Sequence, residues 1–208
     1  MTVYVRTYGH IPYNEKEILR YAGARERTPE VSALLSECIS EYGKTSGKVC
    51  YTELDLEIAG NTVSFGTIKT ESRDLAKNLS GCSKVILFCA GTGMEIDRLI
   101  KKYSRISVAK SGMFQAIGTE RVEAVCDRFN DEIKASVSGR TRPRFSPGYG
   151  DLPIEVQRDI FAMLDCPRKI GVTLNESLLM SLSKSVTAII GIEETPAKGK
   201  RNGNTRRY

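Results

Sequence analysis

Val31, Leu34, Leu35, Cys38, Ile39 and Tyr42 recur every three or four residues, the period of a helix with one apolar face. Thr28 and Pro29 stand before this run and Gly43 after it; a hydroxyl N-cap, a proline in the first turn and a glycine exit are the expected ends of a helix. A shorter helix is predicted over 14–21, opened by Asn14, with acids in its first turn and Gly23 beyond its end. From Lys48 the period changes to two. Val49, Tyr51, Leu54, Leu56 and Ile58 partly alternate with polar neighbours, Gly60-Asn61 suits a tight turn, and Val63, Phe65 and Ile68 continue the alternation, so antiparallel strands are expected here. A short helix follows over 71–79, ended by Gly81.

Residues 84–90 carry the unbroken apolar run VILFCA, which fits a strand buried on both faces. Gly91-Thr92-Gly93 leads from it into a helix with Met94, Ile96, Leu99, Ile100 and Tyr103 on its apolar side. A long helical stretch is predicted over 105–135, possible breaks falling at Gly112 or Gly118. Glu120, Glu123, Asp127 and Asp131 lie along much of its polar surface, an arrangement that usually faces solvent. Beyond a proline- and glycine-rich loop, a helix is predicted over 153–164, stopped at Asp165-Cys166-Pro167. A short extended piece is expected over 170–174, a helical turn over 175–180 and a closing strand over 185–192. Helices around antiparallel strands, with few regular βαβ units, indicate an α+β fold.

A chain of 208 residues with a 40% hydrophobic share can bury one sizeable core. We expect one domain over 1–194, its N-terminal helical part spanning 14–43. No run of eighteen apolar residues occurs and the first residues lack a basic start followed by an apolar stretch, so neither a membrane span nor a secretory signal is expected. A cytoplasmic location is the expectation. The formal charge of +6 is carried by the end of the chain: residues 195–208 hold five basic residues and no acid, leaving 26 basic against 25 acidic residues elsewhere. A basic, flexible tail on a near-neutral body is therefore expected, with no nucleic-acid partner. Six cysteines without a CxxC pair and a single histidine, His10, leave no spacing for structural zinc and no Ser/His/Asp or Cys/His constellation for an independent catalytic site.

The loop at 142–153 reads RPRFSPGYGDLP. Its three prolines and two glycines exclude a helix or an inner strand. Arg144, Gly148 and Tyr149 stand in an RxxxGY arrangement: Pro147 fixes a torsion, Gly148 permits a positive one, and Arg144 offers a planar set of donors to a carboxylate or phosphate. The arrangement suits a small-molecule cradle, and equally a surface turn that happens to carry an arginine. The strand, glycine turn and helix at Gly91-Thr92-Gly93 invite a nucleotide-binding reading, but lack both the third glycine of GxGxxG and a P-loop lysine. A plain strand-to-helix turn accounts for them as well.

RFSPGYGDLP followed by IEVQRDIFAMLD, IGVTLNESLLM and KSVTAIIGI, with KVILFCAGTGMEIDRLIKKYS and FQAIGTERVEAVCDRFNDEI upstream, resembles the activation (reactivation) domain of cobalamin-dependent methionine synthase in its free-standing bacterial form. The likeness spans about residues 14–193. It implies that Arg144, Gly148 and Tyr149 bind S-adenosylmethionine, that Glu123 faces the same ligand, and that a backbone contact to adenine falls on Asp151. It further implies a role in reactivation: methylation of cob(II)alamin on a separate methionine synthase or related corrinoid protein, with an electron from a flavodoxin-type donor. Cobalamin would be held by that partner and not by this chain. The chain departs from the synthase-linked form where GYGDLP replaces GYPACP, where Ile190 stands for an aromatic, and where Ser138 stands for an acid, and an N-terminal aspartate has no counterpart; NES at 175–177 fits the family's TES. Two other readings stand beside it. One is a class I methyltransferase built on the Gly91-Thr92-Gly93 turn, and the other is an interaction domain that has lost ligand binding.

Overall fold

The structure is a computed structural model that describes residues 1–194; the basic tail at 195–208 lies outside the described residues. In chain order the elements are β1 (Tyr4–Tyr8), α1 (Glu15–Tyr21), α2 (Pro29–Tyr42), β2 (Gly47–Ala59), β3 (Thr62–Phe65), β4 (Ile68–Glu71), α3 (Arg73–Asn78), β5 (Lys84–Gly91), α4 (Glu95–Tyr103), α5 (Val108–Ser136), β6 (Arg140–Thr141), α6 (Val156–Leu164), α7 (Cys166–Ile170), β7 (Thr173–Leu174), β8 (Met180–Ser181) and β9 (Ser185–Glu193). The main sheet runs β4-β3-β2-β5-β9-β6, with β1 also on β2. Every pairing in it is antiparallel. The fold is α+β. The strand before the glycine turn, β5, is flanked on both sides by antiparallel strands, so the parallel βαβ unit of a class I methyltransferase is not what carries Gly91-Thr92-Gly93.

Alternation along β5 places the two halves of the core. Val85, Leu87 and Cys89 join a cluster with Leu75 of α3 and Ile160, Phe161 and Leu164 of α6. Ile86, Phe88 and Ala90 face the other way, onto Val122, Val125, Cys126 and Phe129 of α5. Successive side chains of a strand point to opposite faces, so a continuous apolar run serves both layers. A third cluster ties α1, α2 and α4 to the first half of α5 through Ile18, Leu35, Ile96, Phe114 and Ile117. Strand β2 runs through 13 residues and changes neighbours along one edge, pairing first with β1 and then with β3.

Several local expectations are corrected. Helix α5 continues unbroken through Gly112 and Gly118. At Gly118 a Cβ would lie 2.7 Å from Ile96 and 2.8 Å from Lys184, so the glycine there permits close packing instead of ending the helix. Residues 175–180 form no helix; 175–179 are the turn between β7 and β8, closed by the Asn175 side chain accepting from the Leu179 amide at 2.9 Å, and Met180 already belongs to β8. The stop at Asp165 is real, with the residue in the left-handed region at φ 51°, but a second short helix, α7, starts directly after it. Strand β1 carries no apolar alternation in Tyr-Val-Arg-Thr-Tyr and was not expected.

Candidate functional site

The RxxxGY loop begins as an extended strip beside β9. The Arg142 amide donates to the Gly191 carbonyl at 2.8 Å, and Phe145 and Ile189 exchange two backbone hydrogen bonds of 2.9 Å. Alternation then decides which way each side chain goes. Phe145 turns into the core with Ile189 and Leu75, and Arg144 turns to the opposite face, toward α5. There its Nη2 donates to Glu123 Oε2 and to Asp127 Oδ1, each at 3.0 Å. The other terminal nitrogen, Nη1, is buried and has no hydrogen-bond partner among the described residues. Cys126 lies between these two acids in sequence, fully buried, and burial pushes its thiol up to about 12.

Beyond Phe145 the chain turns sharply. Gly148 takes φ 81° and Gly150 φ 56°; at Gly150 a Cβ would stand 2.6 Å from Asp74 Oδ2, so the loop can close on α3 only with glycine there. The Asp151 carboxylate then clasps the start of α3, accepting from Ser72 Oγ at 2.5 Å, the Arg73 amide at 3.0 Å and the Asp74 amide at 3.1 Å. The Ser72 hydroxyl, then the Asp74 and Arg73 amides, hold its pKa below the usual aspartate range. With its side chain committed, Asp151 has only backbone to offer a ligand. Tyr149 is 69% exposed and meets Phe145 edge-on at 5.5 Å.

Glu123 and Asp127 also line a cleft of about 380 Å³ whose opposite wall is the N-terminal segment, with Ile11, Pro12, Asn14 and Glu17. Glu120, Glu123, Asp127 and Asp131 fall at three- and four-residue steps on one face of α5, and all four line this cleft. The face read as solvated is thus the floor of a concavity, where the acids favour a cationic ligand group. The wall is pinned to the floor by a buried pair. Glu120 and Arg121 are 4% and 3% exposed; Arg121 Nε donates to Glu120 Oε2 at 2.5 Å, Nη1 to the Ile11 carbonyl and Nη2 to the Pro12 carbonyl at 3.0 Å, and Glu120 accepts from the Asn14 amide at 3.1 Å.

The structure therefore brings Arg144 and Glu123 together, with Asp127 as a third member that sequence reading had left on the surface. Arg144 reaches Glu123 and Asp127 without itself lining this cleft, Gly148, Tyr149 and Asp151 lie farther along the loop and do not line it either, and Arg128 stands among the acids that do. Ile190 is buried in the cluster that contains Phe129 of α5, and Ser138 is exposed between α5 and β6. Glu17 and Asn14 were legible only as parts of α1 and its cap. Among the described residues no helix is long and apolar enough to cross a membrane, and no cluster of three or more His, Cys, Asp or Glu is arranged to hold a metal ion.

No protein-family model and no curated protein matches the chain. Among solved structures, the crystal structure of the MetH reactivation domain bound to AdoHcy is similar over 95% of this chain and 80% of that one, with a TM-score of 0.62 and 15% sequence identity. At that identity the likeness is one of fold: the chain shares the architecture of the MetH reactivation domain.

Proposed function

We propose that this chain binds S-adenosylmethionine and presents its sulfonium methyl to cob(II)alamin carried by a separate methionine synthase or related corrinoid protein, supporting reductive methylation with an electron from a flavodoxin-type donor. The observation that carries the reading is the pairing of Arg144 with Glu123 and Asp127, two acids that line a cleft against the N-terminal segment, in a chain with the fold of the MetH reactivation domain. S-adenosylmethionine is anionic at its carboxylate and cationic at its ammonium and sulfonium. The unpartnered arm of Arg144 is a donor for the carboxylate, and Glu123, Asp127 and Glu17 are counter-charges for the cationic groups. The backbone of residues 148–151, held open by two glycines in the left-handed region, is the surface offered to adenine, with the exposed Tyr149 ring beside it. Such a donor needs no acid or base to be activated, so the protein's part is to hold it and to keep its methyl facing outward.

Calorimetric titration with S-adenosylmethionine tests this, on the chain alone and with a cobalamin-loaded methionine synthase. Arg144→Ala removes a charge-assisted pair to a carboxylate, a loss of roughly 2–3 kcal/mol, or about thirty- to a hundredfold in affinity. Equal binding by wild type and variant would overturn the role of the loop. Absence of binding in both settings would leave a docking domain that does not use the ligand.

A further inference from the structure

Three of the six cysteines meet in one place. Cys50 and Cys89 are register partners on β2 and β5, and Cys166, the first residue of α7, holds its sulfur 3.9 Å from that of Cys50. All three are free thiols, fully buried in the cluster between the sheet and α6. They come from distant parts of the chain, so no CxxC spacing announces them. Two sulfurs in contact need to approach by only about 2 Å to reach bonding distance.

The trio lies one residue beneath a cleft. Lys48 is on the same face of β2 as Cys50, Gly91 is on the same face of β5 as Cys89, and Ile170 is one helical turn beyond Cys166. Lys48, Gly91 and Ile170 all line a cleft of about 420 Å³ between the Gly91-Thr92-Gly93 turn and the end of α7. The thiols are therefore the next layer under its floor. Helix α7, which covers them, is five residues long and lies between two left-handed positions, Asp165 at φ 51° and Gly171 at φ 76°. A single short turn of helix at the edge of a core opens locally at far lower cost than the sheet it rests on, and a reagent not much larger than water then has a path from the cleft to the sulfurs.

We propose that Cys50 and Cys166 are an oxidisable dithiol, closed to a disulfide by hydrogen peroxide so that α7 is fastened to the sheet. One sulfur attacks the peroxide and the O–O bond breaks, giving a sulfenic acid and a water; the second sulfur attacks the first, the S–S bond forms, the S–O bond breaks and a second water leaves. The two thiols lose two electrons and two protons, and the peroxide is reduced to two waters. None of the three cysteines lines the acidic cleft, so this proposal stands or falls apart from the S-adenosylmethionine reading. The test treats the intact, fully reduced chain with hydrogen peroxide under native conditions, alkylates the remaining thiols in denaturant and locates disulfides by peptide mass mapping. One internal link is expected, Cys50 to Cys166, removed by dithiothreitol, with Cys38 and Cys126, buried in the other two clusters, recovered as free thiols. It joins positions 116 residues apart and should raise the melting temperature by about 5–10 °C. Cys166→Ala should abolish both the link and the rise, and Cys89→Ala should keep both. Met94, which lines the same cleft and is 55% exposed, reports the arrival of peroxide by becoming the sulfoxide. Free Cys50 and Cys166 in protein whose Met94 is oxidised, a link that runs to Cys89 instead, or a link that forms only in denaturant would each overturn the proposal.

Discussion

Arg121 is surrounded by acceptors from two parts of the chain, Glu120 beside it and the Ile11 and Pro12 carbonyls, and stacks over the Tyr13 ring at 4.2 Å. Removing its counter-charge strands a buried cation, so Glu120→Ala should cost about 3–5 kcal/mol in denaturant melts. Replacing both members by methionine should recover only part of that loss, since the Ile11 and Pro12 carbonyls would lose their donor. A second residue, Glu132, responds to pH instead. The Tyr8 hydroxyl at 2.7 Å and Arg6 at 2.8 Å hold its carboxyl below the usual glutamate range. A depressed carboxylate stabilises the folded state above its unfolded pKa and ceases to as the pH falls through its folded one. Melting temperature should therefore decline on acidification below about pH 4, and Glu132→Gln should flatten that decline; the effect is modest because the pair is solvent-screened. At this scale RxxxGY by itself left Arg144 open between a cradle and a surface turn, and the family likeness singled it out. Glu123 came from the family likeness, and Asp127 was hidden because a helix-surface acid reads the same whether water or another segment faces it.

The loop over 142–153 is held at both ends, by β9 at its start and by α3 at Asp151. Asp151→Ala should release the second anchor, seen as faster hydrogen exchange at the Arg73 and Asp74 amides with the core amides of β5 unaffected. Packing between α4 and α5 depends similarly on Gly118, where valine would meet Ile96 and Lys184 and should cost about 1–3 kcal/mol by overpacking. The elements with a clear period were readable: the stripe of α2, the two-sided run of β5, the alternation of β2 and β3. Gly118 misled because a glycine inside a helix is as compatible with a break as with a close crossing, and only the neighbour decides. Asn175 misled for a related reason, since a side chain that caps a helix also closes a turn. Strand β1 escaped because its order comes from pairing with β2 and not from an apolar face of its own.

Across the molecule, the acidic cleft joins segments about a hundred residues apart, 11–21 on one wall and 120–131 on the other. A ligand there bridges separate apolar clusters and should stabilise the fold as a whole. At a hundredfold excess over Kd the gain is about 2.7 kcal/mol, which for 208 residues raises the melting temperature by about 5–10 °C. S-adenosylmethionine should produce this shift in the wild type, and Arg144→Ala, with its thirty- to hundredfold weaker affinity, should retain only about 1–3 °C of it at the same concentration. The overall class was legible because antiparallel alternation and helical stripes together leave few architectures, whereas the cleft was not, because nothing local marks residues 11–17 as the neighbour of α5. The Glu120–Arg121 pair makes that neighbour a fixture. A jaw bolted to its anvil keeps one gauge, filled or empty, so guests are sorted on arrival by fit, and the entry of a donor should follow a single exponential with no slow step of closing behind it.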